Sequence, residues 1–390
     1  MLYFSFLWHP DIYLFENDVF SIRWYSLLFL SGFIIGRFIV VRSYKLENGY
    51  DLTVDMQMIY MVLGTLIGSR MGHVLFYEPE ILKRDYLELF FFWKSGLASH
   101  GAAIGILLGM AIYSYGLKVK GLKFRLVDRL RRGYDFFQVM DRMIIAVAIG
   151  CALIRMGNFV NSEIIGIPTD SDYGVLFVKP VEDRIKGQLP FVERVHFEET
   201  GAFYAPGQAV INTKIYFEHE SYKEQRIRNS VQKRLDNLLP RQGNDYSHVI
   251  NPWAARLVHE FKRSPTQFML EFESVGVYRH PAQLYESITY FLIGVFMFFI
   301  WRKHRIRLRP GSLLGFFFIT AFMGRFLLEY VKENQIKNEV ITINSELAIG
   351  LNLGQILSIP FIVLGFYLLF RNVNGNSFFR RVPQSNNELI

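Results

Sequence analysis

The chain has 390 residues, is 51% hydrophobic and carries a formal net charge of +8. Its single cysteine, Cys151, excludes an intrachain disulfide. No nucleic-acid motif accompanies the basic excess, which sits in loops between apolar stretches and reads as topology and as contact with anionic lipid headgroups.

In chain order, seven apolar stretches reach the roughly 20 residues that a bilayer crossing needs. They lie near 22–41, 56–77, 97–117, 142–160, 283–301, 313–331 and 349–370. The start lacks the basic region and short apolar core of a cleaved signal peptide, so the first stretch is expected to be an uncleaved anchor. Arg42 and Lys45 follow it. Residues 78–96, with Phe90, Phe91, Phe92 and Trp93, read as a segment lying on the outer membrane surface; an ordinary loop fits equally. The next connection carries Lys118, Lys120, Lys123, Arg125, Arg129, Arg131 and Arg132. Arg302, Lys303, Arg305, Arg307 and Arg309 separate the fifth and sixth stretches, and Arg371, Arg380 and Arg381 follow the seventh. Alternating spans place all these cations on one side, which the positive-inside rule makes cytoplasmic. The expected fold is an all-α polytopic membrane protein of seven transmembrane helices. Its N-terminus lies outside, its C-terminus in the cytoplasm, and an α+β head is inserted outside the membrane.

That head is the outer connection at 162–280, nearly balanced in charge as a water-exposed domain would be. Strand-like content marks 191–198, 209–219 and 267–275. Ile227, Val231, Leu235 and Leu238 recur at helical spacing. Asn251-Pro252 reads as an N-cap and first helical residue, opening a helix to about Arg263. His196, His219, His248 and His259 lack metal-ligand spacing and read as surface or packing residues, so no metal is expected. The domains expected are 1–161 with spans one to four, the 162–280 head, and 281–390 with spans five to seven and a tail.

Polar residues within the apolar stretches gather toward one side. Tyr25, Arg70, His73, His100, Arg155, Asn158, Asn161, Gln283, Glu286, Arg325, Glu329 and Gln355 all fall in outer halves. Arg37 is the exception, placed where it can snorkel. Charges at that depth face a cavity or a partner, which points to a reaction centre near the outer leaflet. Cys151 lies mid-span among small residues and reads as packing.

Arg155-Met156-Gly157-Asn158 puts a cation and an amide on one helical face, followed by Asn161, Glu163 and Gly166 at the helix exit. A guanidinium fork suits a phosphate oxygen, and an internal ion pair or structural cap suits the same residues. His280-Pro281-Ala282-Gln283-Leu284-Tyr285-Glu286 points a carboxylate inward at a helix start. Gly324-Arg325 with Glu329 sets a cation and a carboxylate at i,i+4, a spacing that also allows a helix-internal salt bridge. Ser99-His100-Gly101 places an imidazole among small neighbours, where a lone histidine fits a structural role as well as a chemical one.

Together these motifs, with Trp24-Tyr25 and residues 70–77, resemble the bacterial prolipoprotein diacylglyceryl transferases. The resemblance implies a multi-pass enzyme of the cytoplasmic (inner) membrane. It would move the diacylglyceryl group of phosphatidylglycerol to the lipobox cysteine of a preprolipoprotein signal peptide, forming a thioether and releasing glycerol phosphate. It implies no metal or organic cofactor; the partners are those two substrates and the lipid bilayer, without nucleic acid. The positions carried over are Tyr25, His100, Arg155, Asn158, Glu163, Gly166, Glu286, Arg325 and Glu329. Arg155 and Arg325 would meet leaving-group charge and His100 would take the thiol proton. Glu286 or Glu329 would orient an arginine or take that proton instead, and Tyr25, Asn158 and Glu163 would hold the headgroup. Three departures stand out: Ser69 and His73 where the family usually has Gly and Tyr, Ser162 where it usually has Gly, and an unusually long 162–280 segment. Two readings compete: a transporter or channel for an anionic solute, which should carry internal repeats and a midplane site, and a scaffold for envelope proteins, which leaves the buried arginines unexplained.

Overall fold

The computed structural model describes residues 5–17, 20–47, 53–76, 78–81, 87, 99–115, 117–120, 123–126, 135–171, 173–189, 191–218, 224–243, 246–253, 260–263, 268–305, 307–333, 341–344 and 349–371. The apolar helices are α1 (Trp24–Glu47), α2 (Thr53–Phe76), α3 (Ser99–Tyr115), α4 (Phe136–Val160), α7 (Ala282–His304), α8 (Ser312–Leu328) and α9 (Leu353–Phe370). Two amphipathic helices, α5 (Lys179–Gln188) and α6 (Glu224–Leu238), fall between α4 and α7. Among the described residues, five helices are long and apolar enough to cross a membrane: α1, α2, α4, α7 and α8. The apolar parts of α3 and α9 are shorter, at Gly101–Tyr115 and Gly354–Phe370. Large apolar side chains stand exposed along these helices, including Phe38, Ile67, Leu108, Leu292, Phe299 and Val363. A helix apolar all round needs a nonpolar surrounding, so the chain is a multi-pass membrane protein. The surface segment expected at 78–96 lies outside the described residues except for 78–81 and Leu87.

The chain forms two compact units. One comprises Phe29–Leu153, Ile288–Gly324 and Leu357–Ile390. Its core includes Val40, Met58, Met110, Met143, Ile145, Met297, Phe317 and Leu368. Helices α2 and α3 pack backbone to backbone: a Cβ added at Gly64 would stand 2.5 Å from the Gly105 carbonyl oxygen, and one at Gly68 would land on the Gly101 carbonyl. Charge is buried here too, at positions that reading by membrane depth passed over. Arg142 Nε meets Glu47 Oε2 at 2.6 Å, and Trp301 Nε1 donates to the same carboxylate at 2.6 Å. The Arg142 guanidinium lies 4.4 Å from the Tyr44 ring centroid. Asp141 accepts the Gly311 and Leu314 amides at 2.7 and 2.9 Å, capping α8 with a carboxylate. Arg37 reaches Asp55 at 2.8 Å.

The other unit comprises Met1–Leu28, Ile154–Ser287 and Arg325–Ile356. An antiparallel sheet runs β10 (Glu260–Arg263), β11 (Phe268–Val277), β8 (Gln208–Phe217), β7 (Val192–Ala205), with β9 (Val249–Ile250) also on β11. On β8 the side chains alternate: Ala209, Ile211, Thr213, Ile215 and Phe217 are buried and their neighbours are partly exposed, the period-2 pattern of a sheet with one face covered. Val181 and Ile185 of α5 and Ile227 and Val231 of α6 share that core with Phe197, Leu270 and Phe272. Four expectations are corrected or extended. The helix expected from Asn251 to Arg263 does not form at its end, because Glu260–Arg263 pairs with β11 as a strand; residues 254–259 lie outside the described ones. Helix α5, with Pro180 in its first turn, was not anticipated. Neither were the N-terminal strands β1 (Phe6–Trp8), β2 (Tyr13–Glu16) and β3 (Ser21–Arg23), of which β1 pairs in parallel with β6 (Val175–Phe177). Two further hairpins, β4 (Leu117–Lys120) with β5 (Lys123–Leu126) and β12 (Ile341–Asn344) with β13 (Ile349–Leu351), occupy connections read as loop or span end.

Candidate active site

The last turn of α4 builds the first part of the site. The Asn161 amide donates to the Gly157 carbonyl at 3.0 Å, and the Glu163 amide returns to the Asn158 carbonyl at 2.9 Å. Ser162 and Ile164 adopt φ of 55° and 56° to make that reversal. Glu163 thereby folds back onto the helix it leaves: Asn158 Nδ2 donates to its Oε2 at 3.1 Å and Asn161 Nδ2 to its Oε1 at 3.3 Å. From α7, Gln283 Nε2 donates to the Glu163 backbone carbonyl at 2.5 Å. Tyr25 lies against α4, its Cδ2 2.7 Å from where a Cβ on Gly157 would be, and within electrostatic reach of Glu163 and Arg155.

Beyond the reversal, residues 165–167 run as a short extended segment between two others. The Gly166 amide donates to the His280 carbonyl at 3.0 Å, Ile167 to Val331 at 3.0 Å and Glu333 back to Ile165 at 3.1 Å. A Cβ on Gly166 would land on the His280 carbonyl and stand 2.7 Å from that of Val331. Only glycine allows three backbones to meet there. Arg279, fully buried, clamps the junction: Nε to the Gly166 carbonyl at 2.8 Å, Nη1 to the Ser247 carbonyl at 2.9 Å and Nη2 to Glu333 Oε2 at 3.0 Å. Burial holds the neighbouring His280 below the ordinary histidine pKa, favouring the neutral ring.

The charged centre is a chain of alternating sign. Arg155 Nε approaches Glu286 Oε2 at 3.0 Å, and Lys332 Nζ approaches Glu286 Oε1 at 3.2 Å and Glu329 Oε2 at 3.3 Å. The Glu286 side chain is 1% exposed and that of Lys332 6%. Both contacts to Glu286 are ion pairs at angles outside hydrogen-bond geometry. Two buried carboxylates with Lys332 between them avoid the cost of an uncompensated charge. Glu329 also closes on the backbone of Gly354, where a Cβ would stand 2.6 Å from Oε1.

Several placements differ from the sequence reading. The i,i+4 pairing of Arg325 with Glu329 is absent, because α8 ends at Leu328 and Glu329–Val331 is a 3-10 turn that rotates the carboxylate toward Lys332. Arg325 is half-buried and makes no hydrogen bond or ion pair among the described residues. Arg155 meets Glu286 through Nε, and among the described residues its two terminal nitrogens make no hydrogen bond. Lys332 and Arg279 were missed. Lys332 reads as an ordinary cation at a span end, and the usable signal was its i,i+3 spacing from Glu329. His100 stands in the first turn of α3, in the other unit, and its side chain lies outside the described residues. Tyr25, Arg155, Asn158, Glu163, Gly166, Glu286, Arg325 and Glu329 all belong to one unit.

The family model described as prolipoprotein diacylglyceryl transferase matches residues 13–371. A phosphatidylglycerol–prolipoprotein diacylglyceryl transferase of Porphyromonas gingivalis is 27% identical over 370 residues, covering 94% of this chain and 95% of the relative. One of Chloroherpeton thalassium is 28% identical, covering 93% and 92%, and one of Tolumonas auensis is 26% identical, covering 93% and 95%. The chain belongs to the prolipoprotein diacylglyceryl transferase family.

Proposed function

We propose that this transferase moves the diacylglyceryl group of phosphatidylglycerol onto the lipobox cysteine of a preprolipoprotein, at the outer leaflet of the bacterial inner membrane. The substrates named for the relatives support the reaction. The observation that carries it is Arg155, fixed through Nε to a buried carboxylate while its terminal donors make no hydrogen bond among the described residues. That arrangement suits an anion arriving from outside the network.

The thiol loses its proton to a base, for which His100 is the candidate, since an imidazole titrates near neutrality. The thiolate sulfur attacks the glyceryl carbon bonded to the phosphate oxygen. The carbon–oxygen bond breaks, its electron pair goes to that oxygen, and glycerol phosphate leaves. Arg155 and Arg325 stabilise the developing charge. Glu286 orients Arg155, and Lys332 holds Glu286 and Glu329 apart as charges. Tyr25, Asn158 and Glu163 bind the headgroup, and Gly166 lets the backbone close behind them. The nucleophile comes from the substrate, so Cys151 takes no part.

Around this site we place seven spans with the N-terminus outside, counting α3 and α9 with the five longer helices, and 162–280 as an extracytoplasmic head that guides the signal segment. The test incubates purified protein with phosphatidylglycerol vesicles and a lipobox peptide and weighs the peptide. A diacylglyceryl mass gain on the cysteine peptide is expected. No gain from folded protein, beside an active relative, would overturn the reading.

A further inference from the structure

Exposed aromatic side chains gather at the turn between β7 and β8. Phe203 is 57% exposed and Tyr204 48%, and Trp253, 38% exposed, packs edge-on against Tyr204 with ring centroids 5.8 Å apart. Tyr173, 63% exposed, lies in the neighbouring loop, whose Gly174 packs against the Tyr278 side chain.

Strand register fixes which end of the sheet this is. Val277 of β11 faces Gln208, whereas Phe268 faces Phe217. The β7–β8 turn therefore stands where β11 leaves the sheet for α7. The Tyr278 amide donates to the Gly207 carbonyl at 2.9 Å. Gly207, at φ 68°, backs onto Thr169 and Asp170, with a would-be Cβ 2.7 Å from the Asp170 carboxylate. The turn is thus tied at Gly207 to Tyr278 by a backbone hydrogen bond and packs closely on Thr169 and Asp170. Four residue steps separate Tyr278 from Ala282, the first residue of α7, and they span at most about 14 Å of chain.

Helix α7 is long and apolar enough to cross a membrane, so its first turns mark one boundary of the hydrocarbon layer. Side chains projecting from a turn tied this closely to that boundary reach the headgroup zone. Tyr and Trp favour that zone because one end of each ring is apolar and the other polar. We infer that the β7–β8 tip, with Phe203, Tyr204 and Trp253, is a membrane-interface anchor that seats in the headgroup layer of the bilayer α7 enters. The anchor would hold the sheet at a constant height over the lipid surface, whatever reaction the protein performs.

Site-directed fluorescence tests this on the full chain in phosphatidylglycerol–phosphatidylethanolamine vesicles. Cys151→Ala clears the one native thiol, and Phe203→Cys or Glu193→Cys then carries an environment-sensitive dye at either end of β7. Lipids spin-labelled near the headgroup serve as quenchers. The dye at 203 is expected to be quenched several-fold more strongly than the dye at 193. Ala202→Cys, at a side chain already exposed, repeats the measurement should Phe203→Cys fail to fold. Weak quenching at both ends would overturn the anchor, and so would equal strong quenching along the whole strand. Shielding at 203 that appears only when a lipobox peptide is added would also overturn it, assigning the tip to a polypeptide partner instead.

Discussion

Arg155 and Lys332 share one buried carboxylate, and removing either cation leaves Glu286 short of compensation where it is 1% exposed. Arg155→Ala is expected to lower transfer by about 10²–10³-fold, the usual effect of deleting a preorganised charge-stabilising donor. Lys332→Met should lower it by about 10²-fold through a broken buried pair, while Lys332→Arg keeps most activity. Initial rates on membranes with matched protein levels check both, and full activity in Lys332→Met would remove it from the site. Ser162 shows the opposite case. It holds a left-handed φ of 55°, and its buried hydroxyl has no hydrogen-bond partner among the described residues. Ser162→Gly should raise stability by about 1 kcal/mol, since that conformation costs other residues about 1–2 kcal/mol, and a higher melting temperature would show it. His248 gives a pH signature. Burial, reinforced by Arg279 and Arg184, pushes its pKa down to about 3, against about 6.5 when unfolded. Between those values the unfolded chain takes up a proton that the folded head refuses, so stability falls as pH drops through that window. Glu182 acts in the same direction at lower pH. Burial alone would raise it, but His9, Lys186 and Lys179 outweigh that and hold it well below the carboxylate range. Its contribution is present above about 4.5 and lost below. Melting temperature should therefore fall from pH 7 to 5, and His248→Gln should flatten that fall. His280, lowered by burial in the same way, leaves part of the slope. An unchanged slope in the variant would sink the assignment.

At the scale of elements, close backbone approach explains where small residues stand. Glycines at 64, 68, 101 and 105 let α2 and α3 touch carbonyl to Cα, with no space for a side chain at the contact. Gly105→Ala is expected to cost about 1–3 kcal/mol, the range for forcing atoms into a filled interface. Thermal unfolding in detergent would measure it, and a neutral result would mean that the pair can separate. Two elements ended differently from their local pattern. Asn251-Pro252 carries every local mark of a helix start, yet Glu260–Arg263 is drawn into the edge of the sheet, because β11 offers it a row of backbone partners. Helix α8 stops at Leu328, one residue before the expected Arg325–Glu329 pair would close, and the tighter turn that follows hands Glu329 to Lys332.

For the whole molecule, the loop charges from which the proposed orientation is argued are separate from those of the proposed site. With seven spans and the N-terminus outside, a cysteine introduced at Glu193 in a Cys151→Ala background should react with an impermeant thiol reagent added to intact spheroplasts. One at Arg307 should react only after lysis. Equal labelling of both would refute the topology. The head has a testable share in function as well: removal of residues 179–271 is expected to abolish lipid transfer to the peptide. A shortened protein that still folds and transfers normally would show that the head neither guides nor gates the substrate.

Composition and period by themselves marked the apolar stretches and the loops that carry the cations, because hydropathy and helical spacing are local properties that neighbours in the chain already express; the motif residues from Tyr25 to Glu329 stood out through the family resemblance. The strand-like content of 209–219 and the helical spacing of Ile227, Val231 and Leu238 were legible for the same reason as the apolar stretches. Only the tertiary structure decided that Arg155 grips Glu286, that Lys332 stands between two carboxylates, and that Arg279 clamps Gly166 to Glu333. Apart from Glu329, three residues before Lys332, those partners come from segments far apart in sequence. A long cation near a helix end has many carboxylates within its reach on paper, and packing selects one by excluding water and fixing the backbone that presents it.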